Sequence, residues 1–217
     1  MLYFANPCTA DVVADMKAGR LAYIDTPKQG NRRPAGVTWI ADNGCFSDAW
    51  DADTWWRWLT RQDPADCVFA VAPDVVGDAA ATARRAAPWL PRIRAAGFPV
   101  AYVAQDGLSV GTCPWGRIDA LFVGGTTGWK LGPEAAALVA AAKHLGIWVH
   151  MGRVNSQRRY NYARSIGCDS VDGTCLTRGP DVNRPRVLSW VRSAGQPFLW
   201  ASPVAEVVVG PVEVEER

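Results

Sequence analysis

Ser165-Ile166-Gly167-Cys168-Asp169-Ser170-Val171-Asp172-Gly173-Thr174 places two carboxylates at the end of a short apolar run, with Gly173 and Thr174 directly after them. The run reads as a strand that opens into a loop. In a parallel barrel the C-terminal strand ends carry the chemistry. An aspartate there is a nucleophile or base, or it caps the following turn through a side-chain oxygen. The choice depends on what the other strand ends carry.

Moving towards the N-terminus, a basic helix is expected over Ser156 to Ser165, preceded by the strand Ile147 to Met151, which ends in Gly152-Arg153. A helix over Pro133 to Leu145 has proline at its first position and Gly146 beyond its end. Further strands are read at Ile118 to Val123, ending in Gly124-Gly125-Thr126, and at Pro99 to Ala104, ending in Gln105-Asp106-Gly107. The Ala- and Arg-rich run from Asp78 to Ala96 is helical, broken around Pro88 and Pro91. Before it, Cys67 to Val71 is a continuous apolar strand ending at Asp74, and Asp53 to Arg61 is a helix. Val37 to Ile40 is a strand ending in Ala41-Asp42-Asn43-Gly44-Cys45-Phe46. Asp25 to Gly36 is an exposed loop, Thr9 to Ala18 a helix capped by Thr9, and Leu2 to Phe4 the first strand.

Short apolar strands alternating with helices indicate parallel βαβ units. Seven strands are read in this way, with an eighth expected after Thr174, near Leu188 or Phe198. The expected fold is a compact α/β (β/α)8 TIM-type barrel close to the lower size limit of roughly 200 residues. A doubly wound open sheet is the alternative. Residues 1–200 are read as a single domain and 201–217, which carry Glu213, Glu215 and Glu216, as an acidic tail.

The composition is that of an ordinary globular chain, with 49% hydrophobic and 20% charged residues, which excludes extensive disorder. Most of the eleven tryptophans, including Trp50, Trp55, Trp56 and Trp58, are read as packing residues. Six scattered cysteines and two histidines indicate neither a structural zinc site nor a disulfide framework, so no metal is expected. No signal segment or membrane-length run is read, and free thiols fit a cytoplasmic location. The net charge is +2, but residues 153–192 hold eight arginines against three aspartates, a local +5. Such a stripe suits a polyanion, or is a solvated helix face.

Asp42, Asp74, Gln105, Gly124-Gly125, Met151 and Asp172 thus fall at the ends of successive strands. In this order the segments resemble those of the tRNA-guanine transglycosylases, and the small size is most like their phage relatives, the DpdA-like DNA 7-deazaguanine transglycosylases. Ala41-Asp42-Asn43-Gly44-Cys45-Phe46 is similar to T-D-S-G-G-[FY], Val103-Ala104-Gln105-Asp106-Gly107 to V-Q-G-G, and Val123-Gly124-Gly125-Thr126-Thr127-Gly128 to I-G-G-L-A-V-G. His150-Met151-Gly152 is similar to L-M-G, and Asp169 to Asp172 to D-x-x-D. The resemblance implies Asp172 as nucleophile, with Asp169 as the alternative, and Asp42 as acid/base. It implies Asp74 and Gln105 as readers of the guanine edge, Phe46 and Met151 as packing on the two faces of the base, and Gly124 and Gly125 as points of close backbone approach. The family's Cys-x-Cys-x-x-Cys zinc site is missing, and Cys45 stands where the family has glycine.

The expected activity is therefore that of a glycosyltransferase (pentosyltransferase) that exchanges guanine in DNA for a 7-deazaguanine such as 7-cyano-7-deazaguanine (preQ0), without a cofactor. If the gene is phage-borne, the location is the host cytoplasm. Exchange needs a carboxylate beneath the anomeric carbon and a second carboxyl to move protons. Asp74 accepts N–H groups of the base, while Gln105 has both a donor and an acceptor to offer. Arg153, Arg158, Arg159 and Arg178 are the candidate phosphate contacts. The competing readings are the same reaction on tRNA, a non-catalytic nucleic-acid-binding barrel, and a sugar-phosphate enzyme with Gly124-Gly125 as its phosphate loop.

Overall fold

The computed structural model describes residues 1–46 and 50–193. Eight parallel strands close on themselves in chain order: β1 (Leu2–Ala5), β2 (Ala22–Asp25), β3 (Trp39–Ala41), β4 (Cys67–Val71), β5 (Val100–Ala104), β6 (Ala120–Val123), β7 (Trp148–Met151) and β8 (Ser170–Asp172). The last strand returns to the first, with Leu2 opposite Ser170 and Phe4 opposite Asp172. The barrel is thus the expected (β/α)8 type.

Helices α1 (Ala10–Lys17), α2 (Ala52–Leu59), α3 (Ala79–Ala86), α4 (Trp89–Ala95), α5 (Thr127–Lys130), α6 (Pro133–His144), α7 (Gln157–Ser165) and α8 (Pro180–Ser193) lie outside the strands. They are not distributed one per strand. The β2–β3 connection holds no helix, and β5 leads to β6 through two short 3-10 turns. Side-chain caps start several helices: Thr9, Asp51, Asp78 and Ser156 each accept from the amide three residues on. Such caps contribute about 1 kcal/mol each. Gly97 and Gly146 end α4 and α6 with φ of 90° and 70°, which a side chain would strain.

The eighth strand is not where the sequence suggested. Leu188 lies in α8, and Phe198 lies outside the described residues, as do residues 201–217. The missing strand is β2, whose Ala22-Tyr23-Ile24 follows α1 by only a few residues and merges with the polar loop after it.

Asp169 lies at the opposite end of β8 from Asp172. It pairs with Lys143 at 2.7 Å and accepts from the Val149 amide at 2.8 Å. Asp119 does the same one strand pair earlier, bonding Arg94 at 2.9 Å and the Val100 amide at 2.8 Å. Both aspartates close strand beginnings at the bottom of the barrel.

Alternation along the strands divides the apolar residues into two sets. Phe4, Ala22, Ile24, Ile40, Phe69, Val71, Ala101, Val103 and Ala120 fill the barrel interior, and a larger set joins the strands to the helices. Trp55 is buried in the outer set against Trp89, and Trp50, Trp56 and Trp58 pack there in part, as the packing reading expects. Arg184 of α8 clasps the buried Asp15 of α1 at 2.6 Å, tying the last helix to the first. Among the described residues no helix is long and apolar enough to cross a membrane.

Candidate active site

Continuing the interior alternation past the strand ends brings one residue from nearly every strand to a single cavity of about 390 Å³. Asn6 follows Phe4, Thr26 follows Ile24, Asp42 follows Ile40, Gln105 follows Val103, Gly124 follows Phe122 and Gly152 follows His150. Asp172 joins them at the end of β8, and Asp74 from the loop after β4. Asp42, Phe46, Asp74, Gln105, Gly124, Arg153, Arg178 and Asp172 all line the cavity.

Four predicted site residues do not. Met151 is fully buried in the outer core, because β7 turns His150 and Gly152 inward and Met151 towards the helices. It therefore cannot pack on a ligand in this cavity. Its expected role falls to an apolar lining of Ile24, Val71, Val103 and Phe122. Arg158 is exposed on α7 and is not part of the lining. Arg159 stands behind Arg153, donating to its carbonyl at 3.4 Å. Gly125 supports the wall from outside, its carbonyl accepting from the Arg153 guanidinium.

At the floor, Asn43 Nδ2 donates to Ala72 O and Asp74 Oδ1, both at 2.8 Å, and Asn43 Oδ1 accepts from the Cys45 amide at 2.8 Å. Asn43, which the sequence reading gave no role, is thus held by backbone on both sides and gives one N–H to Asp74. Gln105 Nε2 donates to Asp74 Oδ2 at 2.5 Å. Its Oε1 accepts from Gly77 N at 2.9 Å and Gly125 N at 2.8 Å. The carbonyl of Gln105 is therefore occupied by backbone, and what it offers a ligand is its remaining N–H donor, not both polarities. Burial pushes the Asp74 carboxyl up, against the opposing pull of Asn43, Gln105 and Arg85.

Asp42 lines the same cavity from the end of β3, the strand next to β4. Burial, then the charges of Asp172 and Asp74, push its carboxyl up to about 7, although the amides of Asn43 and Gly44 pull the other way. Asp172 Oδ2 lies 2.9 Å from His150 Nε2, in hydrogen-bond contact, and Oδ1 accepts from the Arg153 amide at 3.1 Å. Arg153 adopts φ of 61° and lays its guanidinium 5.3 Å from the ring centre of Phe46, which is 72% exposed at the cavity rim. The Cys45 thiol is pushed up to about 12 by burial, so it stays protonated and is not a nucleophile.

Glycine is required where the wall is thinnest. A Cβ on Gly124 would lie 2.7 Å from Val103 Cγ1 and 2.9 Å from Gln105 Nε2. On Gly152 it would lie 2.7 Å from the Phe122 ring. The Gly124-Gly125 turn does not provide a phosphate loop: the Gly125 amide is taken by Gln105, and the Thr126 amide by Asp106 at 2.7 Å.

No protein-family profile matches the sequence, and no curated protein matches it. Among solved structures the chain is similar to the Amycolatopsis orientalis BexX/CysO complex, with a TM-score of 0.53 and 16% identity over 92% of this chain and 93% of that one. It is also similar to RipC from Yersinia pestis, with a TM-score of 0.49 and 13% identity over 91% and 95% of the two chains. At 16% identity the likeness to the first of these is one of fold alone.

Beyond Asn43, other residues at the site carry no role in the sequence reading, Asn6, Thr26, His150 and Lys130 among them. His150 lies directly under Asp172, and Lys130 of α5 is buried with its Nζ donating to Gly152 O at 2.7 Å. Burial and the nearby Arg153 lower the Lys130 ammonium to about 7. For His150 a signal existed: Ile147, Val149 and Met151 form an apolar period-2 set, which leaves His150 on the other face.

Proposed function

We propose that this cavity exchanges guanine for a 7-deazaguanine base in DNA, with Asp172 as nucleophile and Asp42 as acid/base. The observation that carries the reading is the convergence of Asp42, Asp74 and Asp172 on one base-sized cavity, with the Asp74–Gln105 pair at its floor. The Asp74 carboxylate accepts the N–H groups of a guanine edge, and the free Gln105 N–H donates to its carbonyl oxygen. The motif resemblance supplies the reaction type.

In the first half-reaction the glycosidic C–N bond breaks as a bond forms from the anomeric carbon to an Asp172 oxygen. The electron pair leaves with the base, which takes a proton from Asp42. The resulting Asp42 carboxylate removes a proton from the incoming deazaguanine, whose ring nitrogen displaces Asp172. One proton is given and one recovered, and a carboxyl held near 7 suits both steps. The target nucleotide must leave its stack to reach the cavity. Arg153 and Arg178 at the rim then meet its phosphates.

The test is release of labelled guanine from DNA in the presence of preQ0, with tRNA as the parallel substrate. Release from DNA but not from tRNA is expected. Release from tRNA alone moves the site to that substrate, and release from neither defeats the reading.

A further inference from the structure

Below the cavity, inside the barrel, runs a chain of polar side chains that the scheme above does not use. Trp148 Nε1 lies 2.8 Å from Ser170 Oγ, Ser170 Oγ 2.9 Å from His150 Nδ1, and His150 Nε2 2.9 Å from Asp172 Oδ2. His150 and Ser170 are wholly buried. The imidazole is walled by Phe122, Phe69 and Phe4, with ring centroids at 4.6, 5.4 and 5.7 Å. A hydroxyl and an imidazole in so apolar a space are costly unless fully hydrogen-bonded. Apolar side chains would fill the same volume without that cost.

An indole N–H only donates, so Ser170 Oγ accepts from Trp148, and His150 Nδ1 is the acceptor within reach of the hydroxyl's own hydrogen. An accepting Nδ1 leaves the ring proton on Nε2, which donates to Asp172. The Asp172 carboxylate is then held at both oxygens, Oδ2 by the imidazole and Oδ1 by the Arg153 amide.

We infer that His150, set in one tautomer by Trp148 and Ser170, is a positioning residue for Asp172. The inference deepens the base-exchange reading and rests on Asp172 being its nucleophile. Two fixed donors stop the carboxylate from rotating and present one oxygen edge to the anomeric carbon. The Nε2–H bond is stronger to a carboxylate than to the ester formed in the glycosyl-enzyme. It therefore favours the second half-reaction, in which the C–O bond breaks and its electron pair returns to Asp172. The ring proton stays on Nε2 throughout.

Two measurements test this, and they fail separately. The chain has only two histidines, and His144 is exposed on α6, so ring nitrogen NMR of the full-length protein with a His144→Gln control isolates His150. The Nε2–H tautomer is expected at neutral pH, with a displaced Nδ1 signal in Ser170→Ala. A Nδ1–H tautomer or a doubly protonated ring overturns the inference whether or not the protein exchanges bases. In the exchange assay His150→Phe should lower kcat by about 10- to 100-fold, the loss of one hydrogen bond to a charged group, with KM within about twofold. His150→Gln, which keeps a donor towards Asp172, should recover part of that loss, and Ser170→Ala should lose a few-fold and serves if His150→Phe does not fold. An unchanged kcat in His150→Phe overturns the inference. An inactive wild type with the Nε2–H tautomer in place defeats the base-exchange reading, and with it the role in exchange, while the tautomer assignment stands.

Discussion

At Asp42 the burial that raises the carboxyl sets a pH dependence of stability. Its folded value near 7 lies above the unfolded value of about 3.9. The folded chain therefore holds a proton that the unfolded chain releases between those two values. The stabilising contribution is complete below about pH 4 and is lost as pH rises through 7. Asp25, pushed up to about 6 by burial, adds a contribution of the same sign. Thermal unfolding from pH 4 to 8 should show the decline, and Asp42→Asn, neutral throughout, should show a shallower one. Equal slopes in the two proteins would remove Asp42 as its source. For Asp172 the expected effect is on chemistry. Asp172→Asn should reduce exchange by roughly three orders of magnitude or more while circular dichroism stays unchanged. Retained turnover would return the nucleophile's role to another group, and Asp169, fixed to Lys143 at the far end of β8, is not placed to take it.

At the scale of the elements, β7 and its turn hold the site together. Gly152 fits between Phe122 and Asp172 only because it lacks a side chain. Gly152→Ala should cost about 1–3 kcal/mol, read as a lower denaturant midpoint at unchanged slope, because ring or strand must shift. An unchanged midpoint would mean that the wall yields freely. This turn also shows where sequence reading succeeds and where it stops. Strand ends, helix caps and terminating glycines are local, so Asp42, Gln105, Gly124 and Asp172 were placed correctly from Val, Ile and Ala runs and the turns after them. The facing of Met151 and His150 depends on which side of β7 meets the helices, a property of the closed barrel. β2 was hidden for a related reason: four residues suffice for a strand paired on both sides, yet they make a weak periodic signal. The donor-only state of Gln105 depends on Gly77 and Gly125, 28 and 20 residues away, and no local pattern carries it.

Across the whole molecule the arginines divide by task. Arg184 secures Asp15 between α8 and α1, and Arg164 bonds the Ser193 carbonyl at 3.0 Å, while Arg153 and Arg178 border the cavity. Arg178→Ala should reduce the slope of log affinity against log salt for DNA by about one, the mark of a lost phosphate contact. Arg184→Ala should leave that slope unchanged and lower the melting temperature, since it strips the buried Asp15 carboxylate of one of its partners. If Arg178→Ala leaves the slope intact, the cavity rim is not on the nucleic-acid path. The clasp between the last helix and the first, with β8 paired to β1, also bears on synthesis. As the chain leaves the ribosome, one edge of β1 stays open until residues 170–172 are made, roughly 10 to 35 s later at ordinary elongation rates. Because Asp172 is on that closing strand, the nascent polypeptide has no complete cavity until the barrel seals, and the waiting edge of β1 is where a stalled chain would pair wrongly with its neighbours.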